Sequence, residues 1–147
     1  RYFNVFGPNQ DPKGAYAAVI PKFIDLVRDE QVPTINGDGT YSRDFTYVTN
    51  VVRANYLALT TDNEECFGEV FNIGAGGRIT IGDLYKTIAN KLEFDREPNY
   101  GPVRAGDIPH SNASVEKAQK LLGYEPLVSF KEGIGLTIDH YLGTKNE

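Results

Sequence analysis

Methionine is absent from the 147 residues, and cysteine occurs once, at Cys66. Without a methionine, and with Arg1 reading as the inside of a strand, the chain is expected to be a fragment or a processed piece. A single cysteine cannot close an internal disulfide, so nothing requires an oxidising compartment, and the cytoplasm is the simplest expected location. Long apolar runs are missing as well. Ala15 to Ile20 is among the longest and ends at Pro21 and Lys22, far short of the roughly 18 residues a membrane span needs. No basic start leads into an apolar stretch and a small-residue cleavage site, so no secretory signal is visible. Positive charge is in deficit: 15 basic against 20 acidic side chains give a net charge of -5. That balance disfavours nonspecific attraction to nucleic acid or to an anionic membrane, so any anion must be held locally. His110 and His140 lack partners at ligand spacing, and Cys66 has no adjacent Cys or His, so neither a metal site nor a nucleophilic cysteine is expected. His110 reads as a loop hydrogen-bonder and Cys66 as a surface-loop or core-edge residue.

What remains fits one domain of ordinary size, with no internal repeat and no low-complexity linker. From Ala15 to Asp29 the apolar residues Val19, Ile20, Phe23, Ile24 and Val27 return to one helix face, and Pro21 is tolerated only in the first turns. Thr34-Ile35-Asn36 and Phe45-Thr46-Tyr47-Val48 read as two strands joined through a glycine hairpin at Gly37 to Gly39. Asn50 or Thr49 is expected to cap a helix carrying Val51, Val52, Leu57 and Leu59 and ending near Thr61. Val70-Phe71-Asn72-Ile73 has the nearly continuous apolar pattern of a strand covered on both faces. Thr80 and Asp83 resemble a capping box opening a helix with Ile81, Leu84, Tyr85, Ile88, Ala89 and Leu92 on one face. Two further helices are expected, from about Ser114 to Leu122 stopped by Gly123, and from Ser129 with Glu132 to about Gly143. Glu93 to Asn112 reads as the longest irregular stretch, of a length that is more often functional.

Two segments carry the chemistry. Arg1-Tyr2-Phe3-Asn4-Val5-Phe6-Gly7-Pro8 reads as a strand ending in Asn and a Gly-Pro turn. Gly37-Asp38-Gly39-Thr40-Tyr41-Ser42-Arg43-Asp44-Phe45 delivers an arginine beside an acid. An anionic ligand taken into a cleft unpaired would cost several kcal/mol. Arginine answers it with a planar, permanently charged fork, which makes Arg43 and Arg104 the candidates. The alternative is that each is an ordinary surface arginine paired with a neighbour, Asp44 for the first and Asp107 for the second. Gly74-Ala75-Gly76-Gly77 superficially looks like a phosphate loop, but Ile79 stands where a dinucleotide fingerprint needs its third glycine, so it reads as a turn. Tyr141 and Lys145 share the four-residue spacing of a Tyr-Lys catalytic pair, yet Gly143 interrupts them at the chain end.

Together the two segments resemble the second half of an extended short-chain dehydrogenase/reductase, the NAD-dependent nucleotide-sugar epimerase/dehydratase family. Within it the likeness is closest to UDP-N-acetylhexosamine 4-epimerases, notably those acting on UDP-N-acetylglucosamine. The resemblance runs from Arg1 to about Leu142. It implies an α/β fold: the C-terminal substrate-binding subdomain with the last strands of the Rossmann sheet, the N-terminal dinucleotide-binding part missing. Residues 1–147 would form one substrate-binding part, with 1–8 and 69–77 as remnant sheet strands and 9–68 and 78–147 as substrate-binding elements. It further implies sugar-nucleotide contacts from Asn4, diphosphate contacts from Arg43 and from Arg104 in Arg104-Ala105-Gly106-Asp107, and uracil contacts from Thr34, Ile35 and Asn36. Ser111 and Ala18 would wall the acyl-amino sugar, the small Ala18 leaving room for an N-acetyl group. Thr34 stands where some relatives place an aromatic, and Tyr47-Val48-Thr49-Asn50 lacks the acid many relatives carry after the Val.

The family's Tyr-x-x-x-Lys motif and NAD fingerprint lie upstream of its R-Y-F-N strand. The chain alone is therefore expected to contain no catalytic residue and to bind no cofactor, NAD belonging to the full-length parent. That parent would oxidise the sugar at C4, let the keto-sugar turn about its diphosphate and return the hydride to the other face, in nucleotide-sugar interconversion for surface polysaccharide synthesis. Expected partners are a UDP-sugar, the N-terminal Rossmann half and a second copy in a homodimer. Alternatives are the corresponding half of a UDP-glucuronate decarboxylase or sugar-nucleotide dehydratase, a non-catalytic sugar-nucleotide binding module, or an inactive fragment.

Overall fold

The computed structural model describes residues 1–11 and 18–143. Along the chain run β1 (Val5–Phe6), α1 (Val19–Arg28), β2 (Thr34–Asn36), β3 (Ser42–Arg43), β4 (Thr46–Tyr47) and α2 (Val48–Thr60). After a 3-10 turn at Glu64–Cys66 come β5 (Ile79–Thr80), α3 (Ile81–Lys91), β6 (Asn99–Gly101), β7 (His110–Ser111), α4 (Glu116–Leu122) and α5 (Phe130–Gly143). The architecture is mixed α/β with very short strands. No helix among the described residues is long and apolar enough to cross a membrane.

The helices with clear local signals form where those signals place them. The Thr80 hydroxyl accepts the Asp83 backbone N–H at 3.0 Å, satisfying one of the unpaired amides at the start of α3. The apolar spacing then buries Leu84, Tyr85, Ile88 and Ala89. The Ser129 hydroxyl accepts the Glu132 N–H at the start of α5 at 3.2 Å. α4 ends at Gly123, whose φ of 62° is the left-handed cap that costs glycine nothing. α1 buries Ile20, Pro21, Phe23, Ile24 and Val27, with Pro21 in the first turn, where its missing N–H has no carbonyl to serve. The Ala15–Ala17 part of the expected helix lies outside the described residues.

Other expectations fail for identifiable reasons. Neither Thr49 nor Asn50 caps α2, which starts at Val48 after Tyr47 and has no side-chain cap. Asn50 is buried, and its amide exchanges two hydrogen bonds with Val128, donating to the carbonyl at 2.8 Å and accepting the N–H at 3.0 Å. A long-range backbone partner outbid the local one. Of the apolar residues expected on this helix, Val51 is buried, whereas Val52 is 60% and Leu59 85% exposed. The glycine turn does not make a hairpin, because the strands on its two sides pair elsewhere. β2 runs parallel to β6, while β3 lies between antiparallel β5 and parallel β7. The stretch from Glu93 to Asn112 therefore supplies two strands, β6 and β7, to complete small sheets. β4 pairs parallel with β1, and Phe45 precedes it. Val70 is exposed, and the Val70–Ile73 segment contributes one parallel bridge, Tyr2 to Ile73.

Two apolar clusters hold these elements. The larger gathers residues of α1, α3 and α5 around Phe6, Ile35, Phe45 and Tyr47. Phe6 meets Phe45, Tyr47 and Phe130 edge-on at 5.7 to 6.4 Å. The smaller gathers Val51, Ala54, Cys66, Ile73, Val115, Ala118, Leu122 and Tyr124. Cys66 is thus a buried core-edge residue, its thiol 3.4 Å from the Leu121 carbonyl.

α5 sits close to β4 because Gly133 carries no side chain. A Cβ there would lie 2.8 to 2.9 Å from Tyr47 side-chain atoms. Gly133→Ala is expected to destabilise the fold despite its better helix propensity. Overpacking costs typically about 1–3 kcal/mol and the propensity gain is about 1 kcal/mol. A urea midpoint equal to or above wild type would contradict this.

Candidate functional site

β3 is the centre of the site. Its neighbours hold it through Ser42 N–H to the Pro109 carbonyl and Asp44 N–H to the Ser111 carbonyl, both at 2.9 Å. Arg43 therefore leaves the strand from a fixed backbone. One terminal nitrogen, Nη1, donates to the Ser42 and Pro109 carbonyls at 2.8 and 3.3 Å. Among the described residues the Nε and Nη2 edge of the guanidinium has no partner, which leaves a two-donor fork of the kind that grips phosphate. Asp44 is not its counter-ion. The buried Asp44 carboxylate turns the other way and accepts the Ala75 and Gly76 N–H groups at 3.0 and 3.1 Å.

That contact explains the glycine loop. Successive backbone N–H groups make a small anion-binding nest, and here the anion is a side chain of the same protein. A Cβ at Gly74 would collide with the Asp44 carboxylate. The loop consequently does not fit the pyrophosphate of NAD. Burial lifts the Asp44 carboxyl above its usual range, the loop N–H bonds offsetting only part of it. Burial, then the nearby Asp44 charge, pushes the Tyr124 hydroxyl up to about 12. Tyr124 stays protonated and donates to the Gly74 carbonyl at 2.8 Å.

Asn4 closes the link to β1. Its backbone has a φ of 39°, a left-handed conformation that Asn tolerates better than most residues. Its side-chain amide donates to the Asp44 carbonyl at 3.3 Å, and its own carbonyl accepts the Thr46 N–H at 3.2 Å. Arg104 sits in a turn closed by the Asp107 N–H to the Arg104 carbonyl at 3.1 Å. Gly106 there has a φ of 84°, as required at the third position of a type II turn. Neither Arg43 nor Arg104 makes an ion pair with a described residue.

These groups converge on one cavity of about 300 Å³. Asn4, Ala18, Thr34, Ile35, Asn36, Arg43, Arg104 and Asp107 all line it, over a floor that includes Phe6 and Phe45. Of the expected site residues only Ser111 is not in its lining; it pairs with Arg43 across β3 and β7. Sequence reasoning missed Lys22, which also lines the cavity. Its signal was position, next to the Ala18–Ile20 wall at the start of α1. A groove of about 790 Å³ between α3 and α5 is larger. Its wall of Ile79, Phe130 and Ile134 carries no converging pair of arginines, so chemistry rather than volume singles out the smaller cavity.

His110 and Tyr141 settle into structural contacts. His110 Nδ1 shares a hydrogen bond with the Ser42 hydroxyl at 3.0 Å, and that hydroxyl also accepts from Arg78 Nε at 2.8 Å. The Tyr141 hydroxyl donates to the Gln10 carbonyl. Lys145 lies outside the described residues. No His, Cys, Asp and Glu group among the described residues is arranged to hold a metal.

Residues 1–74 match the family model described as the NAD dependent epimerase/dehydratase family. UDP-glucose 4-epimerase of Mycolicibacterium smegmatis is 33% identical over 94% of this chain and 43% of that protein. The crystal structure of UDP-glucose 4-epimerase from Thermotoga maritima with UDP-glucose superposes with a TM-score of 0.91 at 42% identity, covering 99% of this chain and 45% of that one. UDP-N-acetylglucosamine 4-epimerase from Methanobrevibacter ruminantium, in complex with UDP-N-acetylmuramic acid, gives a TM-score of 0.89 at 39% identity over 98% of this chain and 45% of that one. The chain thus spans less than half the length of these relatives. With a family model matched over half its residues and a fold shared with solved epimerases, the chain belongs to the NAD dependent epimerase/dehydratase family.

Proposed function

We propose that this chain supplies the UDP-sugar grip of a UDP-N-acetylhexosamine 4-epimerase. The observation that carries the reading is the convergence of Arg43 and Arg104 on one cavity, with Asn4, Ala18 and the β2 residues in its wall. Neither arginine is neutralised by a described acid, so both charges are available to a diphosphate. Ile35 and the backbone of β2 offer the flat apolar edge and hydrogen-bonding groups a uracil ring needs. At Ala18 a methyl is the whole side chain, which suits an N-acetyl group against that wall. UDP-glucose and UDP-N-acetylglucosamine both occur among relatives of similar identity, so the preference for an acylamino sugar rests on this small wall residue.

The division of the chain proposed with this function has 1–8 and 69–77 as strands of a larger sheet and the rest as substrate-binding elements. The Tyr2–Ile73 bridge supports it. Phe3 N–H donates to the Ile73 carbonyl at 3.1 Å, and Ile73 N–H to the Arg1 carbonyl at 2.8 Å, the slanted pattern of parallel strands. A second copy in a homodimer and a cytoplasmic location belong to the same proposal. The described residues grip and orient, and the Asp44 carboxylate occupies the amides of the glycine loop.

Titration calorimetry of the purified chain is expected to show binding of UDP-N-acetylglucosamine. A coupled assay with added NAD is expected to show no epimerisation. Absence of any UDP-sugar binding would reject the grip, and measurable turnover would reject the assignment of grip without chemistry.

A further inference from the structure

Lys22 is the fourth residue of α1 and lines the cavity beside Arg43 and Arg104. Helix stability does not account for it. α1 has no acid in its first turn and no side chain capping its amides, and a lysine at that end opposes the helix dipole. Packing does not account for it either, because Lys22 is exposed while Pro21 and Phe23 on either side are buried. It makes no ion pair with a described residue.

We propose that Lys22 is a third cation on the diphosphate, a binding residue beyond the two-arginine clamp. This rests on the reading of the cavity as a UDP-sugar site. Charge makes the case. The described lining holds Lys22, Arg43 and Arg104 against a single carboxylate, Asp107. Asp107 shares a turn with Arg104 and offsets part of its field. A diphosphate brings about two negative charges that must be met on desolvation. With Lys22 the cavity has a surplus of two positive charges, a match; without it the surplus is one. The ammonium acts as a point charge on a flexible stem, so it can reach a phosphate oxygen from the mouth of the cavity while the arginine forks fix orientation.

The test is titration of the whole chain, as wild type, Lys22→Met and Lys22→Arg, with UDP by calorimetry and with uridine by ligand-observed NMR. Lys22→Met is expected to weaken UDP about tenfold, the scale of one lost charge-assisted contact, and to leave uridine unchanged. Lys22→Arg is expected to keep most of the UDP affinity. If Lys22→Met binds UDP as wild type does while Arg43→Ala does not, the role of Lys22 is overturned and the cavity reading stands. Equal losses for uridine and UDP would assign the effect to the shape of the helix start, which also overturns it. If the wild-type chain binds no UDP, the cavity reading fails and Lys22 falls with it.

Discussion

Replacing Arg43 with alanine is expected to cut UDP affinity about 10- to 150-fold, corresponding to the roughly 1.5–3 kcal/mol of hydrogen bonds to a charged group. The expectation follows from how the guanidinium is held. Two carbonyls, Ser42 and Pro109, take the hydrogens of Nη1 and lock the plane of the fork, so little rotational freedom remains to be lost when a phosphate arrives. The Nε and Nη2 edge, which has no partner among the described residues, keeps two parallel donors for a ligand in the cavity that Arg43 lines. Arg43→Lys keeps the charge but loses both the lock and the fork, and is expected to fall between wild type and alanine. Calorimetric titration with UDP decides it. Identical affinities for wild type and Arg43→Ala would show that this arginine faces no phosphate, and the proposed grip would fail with it.

Much of the cavity lining was legible because its motifs are local. Asn4, Arg43 and the Arg104–Asp107 turn each depend on a few adjacent residues: a strand-end Asn that tolerates a left-handed backbone, an arginine on a short strand, a glycine that permits a type II turn. The helices with a side-chain cap, α3 and α5, were legible for the same reason. What sequence reasoning could not reach was partner choice over long range. Nothing near Asn50 reveals that Val128 will claim its amide. Nothing near Gly37 tells that the strands flanking it find partners in β5, β6 and β7 rather than in each other, since two- and three-residue strands carry too little alternation to specify register. Ser111 was expected in the wall of the sugar pocket, but it pairs with Arg43 across β3 and β7 and is not in the cavity lining. Lys22 escaped notice because a lysine on a helix is ordinarily a solvated surface residue, and only the cavity shows what it faces.

Asp44 is where stability and function meet, and its replacement is expected to have the largest effect on the fold. Its carboxylate holds the Ala75 and Gly76 amides, its N–H bonds Ser111, and its carbonyl accepts from Asn4. One residue thus ties β1, β3, β7 and the glycine loop together, and Arg43 is the adjacent residue. Asp44→Ala removes two charge-assisted hydrogen bonds. Because Gly76 is exposed and water can take up part of the loss, the expected cost is about 3 kcal/mol. The dependence on pH has a definite sign. Burial, the largest influence, raises the carboxyl pKa above its ordinary value, and the loop N–H bonds lower it only in part. A group with a raised folded pKa contributes stability that is complete below its unfolded pKa and is lost as pH climbs through the folded value. In Asp44→Asn the site no longer titrates, while every other acid is shared with wild type. The stability advantage of wild type over Asp44→Asn in urea unfolding is therefore expected to be greatest in acid, below the ordinary aspartate pKa of about 3.9, and to shrink toward neutral pH. An advantage that grows with rising pH would mean that the loop N–H bonds outweigh burial in setting the Asp44 pKa.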